Sequence, residues 1–152
     1  MKIQSIMTKD VATCSPHTDL AAVATLMWQR DCGIVPVVGE AGSVVGVITD
    51  RDICIAAATR GLPPSHIAAS DAMSEPVHAC MAGDDVSEAL SVMKQFRVRR
   101  LPVIDKSGML KGLLSMNDLV TAAGRAKGPA PKDVLATLSA ICAHRPTRVT
   151  AV

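Results

Sequence analysis

Two short segments carry the residues best suited to chemistry. Thr49-x-x-Asp52 and Ser115-x-x-Asp118 each set a hydroxyl three residues ahead of a carboxylate. On the first turn of a helix, side chains at that spacing point the same way. An ionised carboxylate offers two acceptor oxygens and no donor, which matches the paired donors of a vicinal diol, and the hydroxyl can support either partner. A Thr-x-x-Asp segment is also an ordinary helix cap, so one copy alone leaves both readings open. A phosphate beside either carboxylate would be repelled. It must extend toward the positive end of a helix or toward cations. Arg51 adjoins Asp52, and Arg97, Arg99 and Arg100 form the strongest basic cluster of the chain. A guanidinium fork donates two bonds to phosphate at once; a solvated surface or a dimer contact would explain the same cluster.

Other chemistries find little support. The chain has no Gly-x-x-x-x-Gly-Lys-[Ser/Thr] and no Gly-x-Gly-x-x-Gly, and no Ser/His/Asp or Cys/His arrangement stands out. Asp50 and Asp52 could pair for acid/base work, but their position suits binding better, so no catalytic residue is assigned and a sensor is expected rather than an enzyme. The five cysteines lack C-x-x-C spacing and the four histidines are scattered, so no metal site is expected. Cys14 and Cys80 occupy equivalent places in the repeat described next. A redox pair is conceivable, but small core residues in a reducing compartment explain them as well and are preferred. A net charge of +2, with Trp28 and Phe96 the only ring-bearing Phe, Trp or Tyr side chains, argues against nucleic acid. The apolar runs are too short to cross a bilayer and the first ten residues do not read as a signal peptide. A cytoplasmic protein without membrane attachment is expected.

The elements that must position these residues come in duplicate. Residues 7–54 align with 73–120 at a constant offset of 66, with eleven identities that include Pro36/Pro102, Gly46/Gly112 and Asp52/Asp118. Two similar halves are expected to pack about a pseudo-twofold axis. In the first, Val11–Cys14 reads as extended. Thr18 or Asp19 caps a helix with Leu20, Val23, Ala24 and Met27 on one face, and Gly33 closes it. Ile34–Val38 and Val44–Thr49 read as strands, and Asp50 caps a second helix reaching about Gly61. In the second, Val77–Cys80 is extended, Asp84 or Asp85 caps a helix, Leu101–Ile104 and Met109–Ser115 are strands, and a helix starts near Asn117. Each half is thus β-α-β-β-α, and the fold class is α/β (α+β). Pro63-Pro64 separates the halves, with 1–62 and 63–128 as the two units. Residues 129–152 hold a linker, a further helix over Lys132–Ala143 and a frayed tail. That helix is expected to place Val134, Leu135, Leu138, Ile141 and Cys142 on one side, against its own domain or a second subunit.

The paired Pro-Val strands and Gly-h-h-[Thr/Ser]-x-x-Asp segments (h apolar) resemble the CBS-domain pair, or Bateman module. The matching stretches are Met7-Thr8, Ile34–Val38 and Gly46–Ile53 in the first half. In the second they are Met73-Ser74, Arg100–Asp105 and Gly112–Leu119. The resemblance covers residues 1–128. It implies one compact module with clefts that take adenosine-containing ligands: AMP, ADP or ATP, or else NAD or S-adenosylmethionine. It also implies dimerisation into a flat disc. The carboxylates would then hold a ribose, with Arg51 or Arg100 toward phosphate. Adenine would rest between aliphatic side chains near Ile34, Val35 and Pro36, and near Leu101 and Pro102. Backbone at Thr13-Cys14 and Ala79-Cys80 would assist. The implied partners are such a small molecule, a second copy of the chain and an effector protein of unknown identity. The rival reading is a ligand-free structural module that works by assembly.

Overall fold

The computed structural model describes residues 1–143; the expected tail lies outside the described residues. Local chemistry builds the same elements twice. α1 (Leu20–Gln29) starts at Asp19, which stays extended and accepts a bond from the Ala22 N–H at 2.9 Å. It buries Leu20, Val23 and Met27. β1 (Ile34–Val38) and β2 (Val44–Thr49) pair antiparallel, with Ile34 opposite Thr49 and Val37 opposite Gly46. α2 (Asp50–Arg60) follows β2 without a loop and stops at Gly61, which turns left-handed at φ 62°. The second half adds β3 (Cys80–Met81), α3 (Val86–Phe96), β4 (Arg100–Ile104), β5 (Leu110–Ser115) and α4 (Met116–Ala123). Its hairpin keeps the same register, Arg100 opposite Ser115 and Val103 opposite Gly112. β3 runs parallel to β4. Its counterpart in the first half shrinks to one parallel bridge between Cys14 and Val37.

Several boundaries differ from expectation for physical reasons. Thr49, not Asp50, caps α2, because the extended strand conformation persists through Thr49 (φ −112°, ψ 163°). α1 ends before Gly33: the Cys32 N–H reaches back to the Met27 carbonyl at 3.0 Å while Asp31 takes a left-handed φ of 47°. Arg97 does the same in the second half (φ 54°), with the Val98 N–H bonded to the Met93 carbonyl at 3.1 Å. Asp31 and Arg97 are repeat equivalents, and this 6→1 closure is the usual way to satisfy the last carbonyls of a helix. Asp85 precedes α3, yet its carboxylate makes no cap bond. It turns to the Lys2 ammonium at 3.0 Å instead.

The pseudo-twofold axis can be read from matched hydrogen bonds. The Val86, Ile3 and Gln4 N–H groups donate to the Met1, Asp84 and Ala82 carbonyls; the Leu20, Ala69 and Ser70 N–H groups donate to the Ile67, Thr18 and Pro16 carbonyls. Every partner differs by 66 residues. The same pairs show that the halves exchange their leading arms. Ile3 is fully buried in the core formed by α3, β4, β5 and α4, whereas Ile67 and Ala69 are buried in the core of α1, β1, β2 and α2. The arms also cross over the hairpins. The Thr8 N–H bonds the Leu113 carbonyl at 2.9 Å, and the Ser74 N–H bonds the Val47 carbonyl at 2.8 Å. Division of the chain at Pro63-Pro64 therefore follows the repeat, while packing reaches across it.

α5 (Pro131–Cys142) breaks the symmetry by lying on α3 and α4. It buries Val134 and Thr137, whose hydroxyl is satisfied by the Asp133 carbonyl at 2.9 Å. Leu138 and Ile141 pack against the second core, but Leu135 and Cys142 are exposed. The expected one-sided stripe is thus narrower than the sequence suggested. Among the described residues no helix is long and apolar enough to cross a membrane.

Candidate functional site

The two Thr/Ser-x-x-Asp segments fold identically at the strand-to-helix junctions. The Asp118 Oδ2 accepts from the Ser115 N–H at 2.8 Å and from the Ser115 hydroxyl at 2.6 Å, and the Asp118 N–H returns a bond to Ser115 Oγ at 3.2 Å. Asp52 and Thr49 repeat this at 2.8, 2.7 and 3.3 Å. Both are full capping boxes, so the cap reading is correct as far as it goes. It does not use the whole carboxylate. In each box Oδ2 takes both donors, and Oδ1 receives none among the described residues. The hydroxyl proton of Ser115 or Thr49 is committed to the carboxylate, so it orients the acid rather than donating to a ligand. What remains is a half-buried, fixed carboxylate with one open oxygen.

Asp118 and Ser115 open into a cleft of about 270 Å³ between the halves. Ligand pockets typically run from about 300 Å³ upward, so the space is small. Val11, Ala12, Ile34 and Leu113 give it an aliphatic wall. Arg100 and Arg30 supply cations, and Arg30 Nη2 lies 2.7 Å from Asp10 Oδ2, both residues lining the same cleft. Gly33 makes room for Arg100: a Cβ there would sit 3.3 Å from Arg100 Nη2 and 3.4 Å from Asp50 Oδ2. A second, shallower depression of about 520 Å³ adjoins the first. It shares Asp31, Cys32, Gly33 and Arg100 with it and adds Trp28 and Asp50.

Of the residues singled out from sequence, Ile34, Arg100, Ser115 and Asp118 meet in this cleft. Val35, Pro36, Leu101 and Pro102 are buried in β1 and β4 without lining it. Thr13 is exposed, and its neighbours Val11 and Ala12 line the cleft instead. Ala79 is the half-buried repeat equivalent of Thr13. Thr49 and Asp52 stand on the opposite side of the pseudo-axis. Arg51 is exposed beside them, and its counterpart Asn117 lines the Asp118 cleft. Sequence reasoning missed Arg30 and Asp10. No local pattern joins residues twenty apart, and Arg30 has no basic counterpart because its repeat equivalent is Phe96.

Neither cysteine of the equivalent pair serves the cleft. Cys14 lies in the first core and Cys80 in the second. Burial pushes the Cys14 thiol up to about 11 and the Cys80 thiol up to about 12, the Asp84 carboxylate adding to the latter. Among the described residues no group of three His, Cys, Asp or Glu side chains could hold a metal ion.

Comparison with known proteins agrees with this geometry. The family model described as CBS domain matches residues 3–58 and 69–125. An uncharacterized protein of Methanopyrus kandleri is 32% identical over 120 residues, covering 79% of this chain and 61% of that protein. An inosine-5′-monophosphate dehydrogenase of Thermoplasma acidophilum is 31% identical over 118 residues, 78% of this chain but only 23% of the enzyme. The chain therefore spans less than two thirds of these relatives' length. Among solved structures, hypoxic response protein I with two coordinated zinc ions is 30% identical with a TM-score of 0.73, covering 80% of this chain and 98% of that one. A CBS-domain pair in complex with 5′-methylthioadenosine and S-adenosyl-L-methionine has a TM-score of 0.74 at 21% identity, over 82% of this chain and 96% of the other. CBSX2 in complex with AMP has a TM-score of 0.69 at 22% identity, over 80% and 95%. The duplicated β-α-β-β-α plan, the twin capping boxes and the match over both repeats place the chain in the CBS-domain family, with two CBS domains in tandem.

Proposed function

We propose that the protein is a non-catalytic regulatory module that binds an adenosine-containing ligand in the Asp118 cleft and passes the signal to a separate protein. One observation carries the reading: a capping box fixes Asp118 with its Oδ1 open, inside a cleft that also holds an aliphatic wall and two arginines. Ribose hydroxyls would donate to Oδ1, adenine would lie against Val11, Ala12 and Ile34, and a phosphate would face Arg100 and Arg30. The adenosine compounds held by two CBS structures of the same fold support that choice. AMP, ADP and ATP are the first candidates, with NAD and S-adenosylmethionine behind them. To act as a signal the ligand must bind two states of the protein unequally. Its action would be cytoplasmic, where these compounds are made and used.

A homodimer fits the same reading. Trp28 is 87% exposed, and Ile55 on α2 and Val120 on α4 are also exposed, a pattern suited to a subunit contact. Those apolar side chains equally favour the second reading, a ligand-free assembly module. Titration calorimetry separates the two. AMP should bind the parent, and Asp118→Asn should weaken binding at least tenfold. Equal affinity in the variant removes the ribose assignment, and no binding of any adenosine compound leaves the assembly module. Mass spectrometry of small molecules released from the purified protein would name the ligand directly.

A further inference from the structure

The pseudo-twofold axis gives the Asp118 cleft a counterpart position at Asp52, and its residues can be read by adding or subtracting 66. The matched arm–hairpin bonds, Thr8 to Leu113 and Ser74 to Val47, show that both positions have the same backbone frame. Three of the side-chain differences bear on where a base or a phosphate would lie. Ala12, which lines the Asp118 cleft, corresponds to His78. Arg30 corresponds to Phe96, and Ile34 corresponds to Arg100. His78 and Phe96 lie ring on ring, centroids 3.7 Å apart and planes 13° from parallel. A flat aromatic pair thus stands where the open cleft offers a methyl group and a flexible guanidinium side chain. The third difference acts in the same direction. Arg100, which holds the place of Ile34, sends its guanidinium toward Gly33 and into the Asp118 cleft. The Asp118 cleft thus holds both Ile34 and Arg100, while Arg51, Arg97 and Arg99 stand at the places that Asn117, Asp31 and Gly33 take beside Asp118, so the aromatic stack and not a lack of cations sets the Asp52 position apart.

We infer that the His78–Phe96 stack fills the base position of the Asp52 cleft, so that each chain takes one adenosine ligand, at Asp118. This rests on the adenosine reading given above. The Asp52 capping box then serves the start of α2 alone, and the stack sets the number of sites.

Two measurements test it. In calorimetric titration with AMP the parent should bind one equivalent per chain. His78→Ala/Phe96→Arg, which installs the residues of the open cleft, should bind two, and the added equivalent should vanish when Asp52→Asn is included. His78→Ala alone serves if the double variant folds poorly. Two equivalents in the parent, or one in the rebuilt variants, overturn the inference. The second measurement needs no ligand. Val11 lines the open cleft, and Val77 is its equivalent. Reaction of Val11→Cys and Val77→Cys with a maleimide, followed by peptide mass mapping, should be at least tenfold slower at position 77. It should become comparable once His78→Ala is added. Equal rates without that change overturn the inference. If labelling behaves as expected while AMP binds neither protein, the occluded cleft stands and the adenosine reading falls.

Discussion

At the residue scale, charge placement decides what the cleft can hold. Asp118 and Arg100 face the same small space, so a ligand must present hydroxyl donors to one and an anion to the other. A hydrogen bond to a charged group contributes about 1.5–3 kcal/mol, and tenfold in affinity corresponds to about 1.4 kcal/mol. Arg100→Ala should therefore weaken AMP at least tenfold by titration calorimetry and leave adenosine within about twofold. Equal losses for both would assign Arg100 to the fold rather than to phosphate. The thiols divide just as clearly. Cys54 and Cys142 are exposed, whereas Cys14 and Cys80 are buried with thiols shifted up to about 11 and 12. Iodoacetamide at neutral pH should label the exposed pair and reach the buried pair only after denaturation. Because the folded values lie above the ordinary thiol value of 9.0, the unfolded chain loses these protons first as pH rises. Stability from the two thiols is complete below pH 9 and declines through the alkaline range, which urea titrations at pH 8 and pH 10 would detect.

At the element scale, the glycines on β2 and β5 mark where the exchanged arms press closest. A Cβ on Gly112 would fall 2.6 Å from the Thr8 carbonyl oxygen, part of the backbone, and 2.9 Å from Met7 Sδ. On Gly46 its three nearest atoms would all belong to the Met73 side chain, the closest being Sδ at 2.5 Å. Flexible side chains give way more cheaply than a bonded strand, and overpacking costs about 1–3 kcal/mol. Gly112→Ala should lie near the upper end of that range in urea unfolding and Gly46→Ala near the lower; the reverse order would mean the arms move as easily as side chains. These contacts also mark the limit of what the sequence disclosed. The repeat and the element order were legible because periodicity and Pro, Gly and Asp spacing can be read directly along the chain. The carboxylates were legible for the same reason, being three residues from their hydroxyls. Arg30, Asp10 and the partner of each arm were not, since they depend on contacts across the axis. Asp85 shows the conflict directly: it has the position of a helix cap, but the Lys2 ammonium outcompetes the helix for its carboxylate.

At the scale of the whole molecule, each core is closed by a segment from the other repeat. Ile3 belongs by sequence to the first half and by packing to the second. Removing a fully buried Ile side chain typically costs about 2–5 kcal/mol. Ile3→Ala should lose that much stability, and hydrogen exchange should quicken first in β4 and β5 rather than in β1 and β2. Faster exchange in the first hairpin would contradict the exchange of arms. The tie is partly ionic. Hydrogen bonding and attraction from Lys2 hold the Asp85 carboxyl below the usual carboxylate range. Its contribution is therefore present above about pH 4 and is lost as pH falls through the lowered folded value.

A peptide comprising a single repeat would carry an arm it cannot use and lack the one it needs. It could complete its core only by borrowing from another molecule, so its folding would weaken on dilution. Joining the repeats in one chain replaces that encounter with an internal one, at an effective concentration on the order of millimolar for a short flexible connection. Closure of both cores then no longer depends on how much protein is present, and ligand or partner can shift the assembly without first having to compete with the folding of its parts.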